Sequence, residues 1–337
     1  MTSHWLIAPT SDYPDDSFSP WPAHRRMNGI MKAFPSLLSV ELLESNETGS
    51  GGFERDAAED VFHEGHLWTE ELIDGDPLRF RVTDAGFLEF GDGEEIFEHD
   101  AVPLRYRTAV RAVREGFARD AFVSAVEDPS SVTFFGVATH ARGVPYDLDR
   151  LPSFLGTALH DIDRERYLPP DTVRRAFERV GLPAIDPIEK ELRAAHVDPE
   201  AYPIPESRWY DGPAAGVVFH NKNGGRAVRQ NPTLADDELG SEATEGFEMT
   251  DPDRSAAHDL ADRVPDAWLD QLLEGSDGNE DTGVGVDPDS VAVDRAVERA
   301  LERLARETSA FTTAVDGPSE ADIRSALAGR IDRYRRS

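Results

Sequence analysis

The 337-residue chain carries 66 Asp and Glu against 35 Lys and Arg, a formal charge of -31, with 39% hydrophobic residues and no cysteine. That length and apolar share support two domains with real cores, and the missing cysteine excludes disulfide partners, thiolate zinc sites and cysteine nucleophiles. No window reaches the roughly 18 consecutive apolar residues of a membrane span, and the N-terminus lacks a basic region followed by an apolar core, so a soluble, cytoplasmic protein is expected.

Lys32, Lys190 and Lys222 are the only lysines, so the basic side is almost all arginine. So acidic and lysine-poor a chain suits molar salt, where the Debye length falls to about 3 Å and self-repulsion is screened; an acidic interaction protein is the alternative. The charge would ordinarily argue against nucleic acid. In a salt-adapted chain only the local sign of a groove matters, and an RNA partner stays open.

Residues 1–30 are rich in Ser, Asp, Pro and His without a strand or helix period, and read as a flexible extension. Gly49–Gly52 is a flexible loop. The alternation Leu78, Phe80, Val82, the cluster Asp84-Ala85-Gly86 and the run Phe87 to Phe90 predict a hairpin. Tyr106, Val110, Val113 and Phe117 recur at helical spacing and predict a helix over 104–118, with Arg105, Arg107, Arg111 and Arg114 as a solvated face paired with acids, or as a strip facing RNA phosphate.

Val132 to Thr139 predicts a central strand with close backbone approach at Gly136. Asp171 reads as an N-cap for a helix carrying Val173, Phe177 and Val180, stopped at Gly181. Gly216 to His220, the turn Asn223-Gly224-Gly225 and Arg226 to Arg229 predict a second hairpin.

Beyond residue 236 the chain turns to acidic helices. Leu260, Val264, Trp268, Leu269 and Leu272 lie in a helical stretch that Pro265 ends or kinks. An acidic Gly/Asp-rich linker follows at about 275–289. Val293, Val297, Leu301 and Leu304 form one stripe, and Ile323, Leu327, Ile331 and Tyr334 another, opened by Ser319 as N-cap. His63-Glu64-Gly65-His66 holds two histidines three apart, but with no third ligand in view it reads as a loop, and no metal site is predicted.

The stretch Leu67 to Phe80, Leu-Trp-Thr-Glu-Glu-Leu-Ile-Asp-Gly-Asp-Pro-Leu-Arg-Phe, resembles the nucleotide-attachment motif of the ATP-dependent RNA ligases, members of the covalent nucleotidyltransferases. That motif reads Lys-x-Asp-Gly with Arg-Phe a few residues on. Asp74, Gly75, Arg79 and Phe80 are in place, and Leu72 stands where the lysine belongs. A leucine has no nitrogen lone pair to attack the α-phosphate of ATP.

Four further segments resemble the same family in its order. Phe134 to His140 resembles the strand whose glutamate contacts the ribose, with Val137 at that place. Pro152 to Leu159 resembles the motif in which an aromatic stacks on the base and a Phe-Asp pair follows; Phe154 keeps the aromatic, and Thr157-Ala158 replace the pair. Ala214 to Val218 resembles Glu-Gly-Val-Val with Ala215 for the glutamate of the metal-assisted chemistry, and Gly225 to Val228 the strand ending in the α-phosphate lysine, here Val228. The segment from Met31, Met-Lys-Ala-Phe-Pro-Ser-Leu, resembles the usual start of such proteins, which makes 1–30 a tail or an upstream mis-start.

The resemblance implies an α+β fold, an RNA ligase-like nucleotidyltransferase domain of antiparallel sheets with flanking helices over 31–235, and a helical C-terminal domain over 236–337. It implies a place in RNA repair, and ATP and Mg as cofactors, against which Leu72, Val137, Ala215 and Val228 stand at the catalytic positions. Residual nucleotide contact is expected from Asp74, Gly75, Arg79, Phe154 and Lys222. The reading that follows is a pseudoenzyme that binds RNA ends, a nucleotide or an active ligase partner. The alternatives are an active RNA ligase with a non-standard site and a non-catalytic interaction scaffold.

Overall fold

The computed structural model describes residues 31–43 except 36, 59–235, 252–274, 288–308 and 318–336. The expected extension over 1–30, the Gly49–Gly52 loop and most of the acidic linker lie outside the described residues. The fold is α+β as expected, with antiparallel sheets, flanking helices and a helical C-terminal region. The chain divides into two compact units: 1–101, 112–138 and 154–231 form one, and 102–111, 139–153 and 232–337 the other. The second unit thus takes in two pieces that precede residue 236.

In the first unit, ten strands form two five-stranded sheets: β1 Leu38–Ser39, β2 His66–Glu71, β3 Gly75–Val82, β4 Leu88–Gly91, β5 Val132–Thr139, β6 Phe154–Asp161, β7 Arg166–Tyr167, β8 Pro187–Arg193, β9 Gly216–Asn221 and β10 Arg226–Gln230. Sheet A runs in the order β1-β10-β9-β2-β8 and sheet B in the order β4-β3-β5-β6-β7. Leu72 to Asp74 is the short link by which the chain leaves β2 in sheet A and enters β3 in sheet B.

Alternation divides sheet A into two faces. Leu67, Val217, Phe219 and Ala227 pack in one apolar cluster with Val40 and Val61. Trp68 is opposite His220, Glu70 opposite Val218, Val228 opposite Val218 and Arg226 opposite His220, so these residues share the other face. Sheet B is organised around rings. Phe80 and Phe134 stack at 4.6 Å, with Phe117, Phe122, Phe154 and Phe177 closing edge-on or tilted around them.

The strand over 132–139 and both hairpins form as predicted. Helix α1 covers Leu104–Gly116, two residues short of the expected end. Helix α2, Pro170–Arg179, starts earlier than predicted: Pro169 is its N-cap and Pro170 its first residue, so Asp171 lies in the first turn instead of capping it. A proline costs nothing at N1, where the amide would lack a partner anyway.

The second unit holds α3 Pro252–Asp262, α4 Asp266–Glu274, α5 Pro288–Glu307 and α6 Glu320–Arg336. Pro265 separates the first two, its carbonyl accepting from Trp268 N at 3.0 Å. Ser319 caps α6, accepting from Asp322 N at 3.2 Å. Leu260, Val264, Leu269, Val297, Leu301, Leu304, Ile323, Leu327 and Ile331 form a single core. Two arginines of α1 that belong to this unit form ion pairs in it, Arg107 bidentate with Glu320 at 2.7 and 3.2 Å and Arg111 with Glu302 at 2.7 Å.

Candidate functional site

Leu72 is half-buried at the crossover, and its N–H donates to Gly216 O at 3.0 Å. A Cβ on Gly216 would come within 2.4 Å of Arg229 O and 3.0 Å of Leu72 Cδ2, so only glycine fits against this leucine. Ala215 precedes that glycine and its carbonyl accepts from Asn231 N at 2.8 Å. Val228 lies on the neighbouring strand of the same sheet. Val137 meets the crossover from sheet B: a Cβ on Gly75 would lie 2.5 Å from Val137 Cγ1 and 2.6 Å from Ala138 O. The fold therefore gathers Leu72, Ala215 and Val228 on sheet A and its link, and sets Val137 against Gly75, three residues past Leu72.

The residues expected to keep ligand contact are placed differently from one another. Phe154 is 1% exposed, its ring 5.9 Å from Phe80 and 6.2 Å from Phe177, and it closes over Gly136, where a Cβ would meet Phe154 Cε2 at 2.4 Å. The Phe154 ring thus packs within the aromatic core of sheet B. Arg79 is buried on β3 and donates to Lys32 O at 2.7 Å, so it anchors the first described segment of the chain. Burial pushes its pKa down, opposed by Asp92. Asp74 is half-buried in the link. Lys222 is exposed in the β9–β10 turn, paired with Glu191 at 3.2 Å and 5.0 Å above the Trp68 ring.

The inward face of sheet A holds a polar group that sequence reading passed over. Glu70 Oε2 lies 3.0 Å from His220 Nε2, and both residues are buried. Arg226 Nε donates to His220 Nδ1 at 3.3 Å and Arg226 Nη2 donates to Thr157 O on β6 at 2.6 Å. Burial, reinforced by the Arg226 charge and opposed by Glu70, holds the His220 pKa below its ordinary value. Burial likewise lowers Arg226, with Glu70 and Tyr167 opposing, and raises the Tyr167 phenol. The signal for this group was the period of two: Glu70 precedes Leu72 by two and shares its face once β2 is recognised as a strand.

Beside Tyr167, the first described segment crosses sheet B. Tyr167 donates to Ala33 O at 3.3 Å, and Phe34 meets Phe135 edge-on at 5.0 Å. His160 lies edge-on to Tyr167 at 4.8 Å, its pKa lowered by burial first and by Lys32 second. On the far face of β2, Glu71 accepts from Ser207 Oγ at 2.6 Å and from Arg208 N at 3.2 Å; burial still raises its pKa.

Two cavities flank Thr157. One is lined by Trp68, Glu70, Thr157, Pro170 and Arg174, the other by Thr157, Tyr167, His220, Asn221 and Arg226, and the interior of each is about 10 Å³, room for one water. Among the described residues no three His, Asp or Glu gather in a way that would hold a metal ion. Magnesium requires oxygen ligands, and Leu72, Val137, Ala215 and Val228 bring no side-chain oxygen or nitrogen.

No protein-family model matches the chain, and no curated protein matches it. Solved structures similar to it include a Naegleria gruberi RNA ligase with pyrophosphate (13% identity, TM-score 0.43, 65% of this chain and 64% of that one). A lysine-to-alanine variant of a Naegleria gruberi RNA ligase with ATP and Mn gives 14% identity and a TM-score of 0.42 over 64% of this chain and 62% of that one. An archaeal ATP-dependent RNA ligase gives 14% and 0.38 over 91% and 66%. The chain spans less than two thirds of the length of each.

Proposed function

We propose that this protein is an RNA ligase-like nucleotidyltransferase that has lost the lysyl-nucleotide step and acts by binding RNA ends, a nucleotide or an active ligase partner. The observation that carries the reading is the state of the crossover: Leu72 sits with its amide on Gly216 and its side chain against that glycine, where the attachment lysine belongs in the motif order. Gly75 and Gly216 are required there by close backbone approach, while the polar positions beside them are Leu72, Ala215, Val137 and Val228. Framework is kept and chemistry is absent. Apolar side chains at such positions remove desolvation cost, so a fold tolerates the exchange, whereas phosphoryl transfer depends on the electrostatic positioning those groups would supply.

In this reading residues 31–235 form the ligase-like domain, 236–337 a helical C-terminal domain, and the protein works in the cytoplasm of a cell with molar salt. The test is incubation of the full chain with α-labelled ATP and magnesium at molar KCl, followed by denaturing electrophoresis. No label on the protein is expected. A label that survives denaturation overturns the reading, and loss of that label in Lys222→Ala would identify the substitute nucleophile.

A further inference from the structure

Glu70 on β2, His220 on β9 and Arg226 on β10 form one chain of contacts that ends outside their own sheet. The Arg226 guanidinium reaches sideways to His220 Nδ1 and across to the Thr157 carbonyl of sheet B. Because Nδ1 accepts from Arg226, the neutral imidazole carries its one N–H on Nε2, which lies 3.0 Å from Glu70 Oε2 without completing a hydrogen bond to it.

We propose that this chain is a proton-operated tie between the two sheets: a proton added to His220 Nδ1 expels Arg226, releases the Thr157 carbonyl and opens the cavities on either side of Thr157. The proton comes from solvent and takes the single lone pair that Arg226 uses, so a donor then faces a donor. Imidazolium and guanidinium become like charges at contact distance in a low-dielectric setting, where repulsion is strongest. Glu70 keeps its place at Nε2 and gains a full counter-charge, so the imidazolium settles toward β2 and Arg226 is the group that leaves.

The surrounding charges agree with this direction. Tyr167 of β7 lies near Arg226 and stays a neutral phenol, since burial raises it. His160 of β6, edge-on to Tyr167, is itself pushed down by burial and Lys32 and adds positive charge only in acid. From α2, Arg174 and Asp171 line the cavity that Glu70 shares, and Asp171 is held by Lys190 at 3.1 Å. Lys222, over the Trp68 ring, is held by Glu191. No carboxylate other than Glu70 is in contact with His220 among the described residues, so none replaces Nδ1 as acceptor for Arg226.

Burial keeps His220 below its ordinary value of 6.5, so the tie is closed at neutral pH and gives way in acid. Trp68 adds an independent observation. Its Nε1–H is buried without a partner among the described residues, and the indole lines the first cavity. An unsatisfied buried donor favours any state that lets water in. The inference does not rest on the ligase-like reading; it concerns access to the space between the sheets, whatever enters it.

The test is hydrogen–deuterium exchange on the full chain at pH 7.5 and pH 5.0, corrected for intrinsic rates, comparing peptides covering 154–161 and 226–230 with those covering the helices of the second unit. In the wild type, protection of the two sheet peptides falls about tenfold in acid while the helices hold. Arg226→Gln shows the lower protection already at pH 7.5, and His220→Gln shows no acid step. Equal protection of the sheet peptides at both pH values in the wild type, or a wild-type acid step in Arg226→Gln, overturns the proposal. Should the variants not fold, nitrogen NMR of the wild-type imidazole decides: Nε2–H at neutral pH with protonation at Nδ1 in acid supports the tie, and an Nδ1–H tautomer at neutral pH overturns it.

Discussion

The hydroxyl of Ser207 donates to Glu71 Oε1 at 2.6 Å, one residue before the link in which the chain crosses between its sheets. Glu71 is 3% exposed, and burial raises its pKa above 4.5 although Ser207, the Arg208 amide and the Arg208 charge all favour the carboxylate. A carboxyl raised by folding contributes stability that is present below the unfolded value of 4.5 and is lost as pH rises through the folded value. At neutral pH the buried carboxylate is thus a cost that Ser207 reduces. Ser207→Ala should destabilise the protein by about 1–3 kcal/mol at pH 7, the range for stranding a buried polar group, and by less at pH 4. Urea unfolding at both pH values checks this; an equal loss at both would show that Ser207 acts by packing alone.

Arg306 of α5 supplies a second such point. Its Nε donates to Thr139 O at 3.2 Å, its Nη1 to Leu148 O at 2.9 Å, and its Nη2 to Leu151 O and, at 3.2 Å, to Thr139 Oγ1. One planar fork thereby satisfies the segment 139–153, which has no regular strand or helix of its own beyond Thr139. Lysine offers a point charge without the fork, so Arg306→Lys should destabilise nearly as much as Arg306→Met, each by about 2–4 kcal/mol given several stranded carbonyls. Thermal unfolding of both variants tests it. A lysine variant that melts with the wild type would mean the charge alone suffices.

These two residues also show what the sequence made legible. Periodicity and punctuation placed β5 at Val132–Thr139, the β3–β4 and β9–β10 hairpins, the break at Pro265 and the Ser319 cap, because each depends on neighbours in the chain. Strand β2, His-Leu-Trp-Thr-Glu-Glu, was hidden by two glutamates that sit buried only because His220 and Ser207 meet them from elsewhere. Strand β8 escaped because its run, Pro-Ile-Glu-Lys-Glu-Leu-Arg, is mostly exposed at a sheet edge and sends only Leu192 against the apolar cluster. Phe154 shows the same limit at the site. Its place among Phe80 and Phe177 is a tertiary fact that a local motif does not show.

The excess of 31 negative charges, 66 acids less 35 bases, predicts a dependence on salt. Pairs such as Arg324–Glu298 and Arg303–Glu307 are partly exposed and add little, so self-repulsion dominates at low ionic strength. Raising KCl from 0.1 to 1 M shortens the Debye length from about 10 to 3 Å. A resulting gain of about 2 kcal/mol corresponds to roughly 3 °C for a chain of this size. Melting curves across that range should rise steadily. A flat or falling curve would count against adaptation to molar salt and favour the reading of an acidic interaction protein.

Leu72→Lys is the most direct probe of the crossover. The position is half-buried and its backbone contact to Gly216 does not involve the side chain, so a lysine is accommodated with its amine directed to solvent and the fold persists by circular dichroism. An amine at this position would still have apolar neighbours. Ala215, Val137 and Val228 leave no charge to hold a triphosphate, and the cavities beside Thr157 admit only a water. The variant is expected to take up no label from α-labelled ATP and magnesium. Covalent labelling of Leu72→Lys alone would show that Leu72 is the one obstacle at an otherwise competent site and would overturn the proposal that several catalytic positions are lost together.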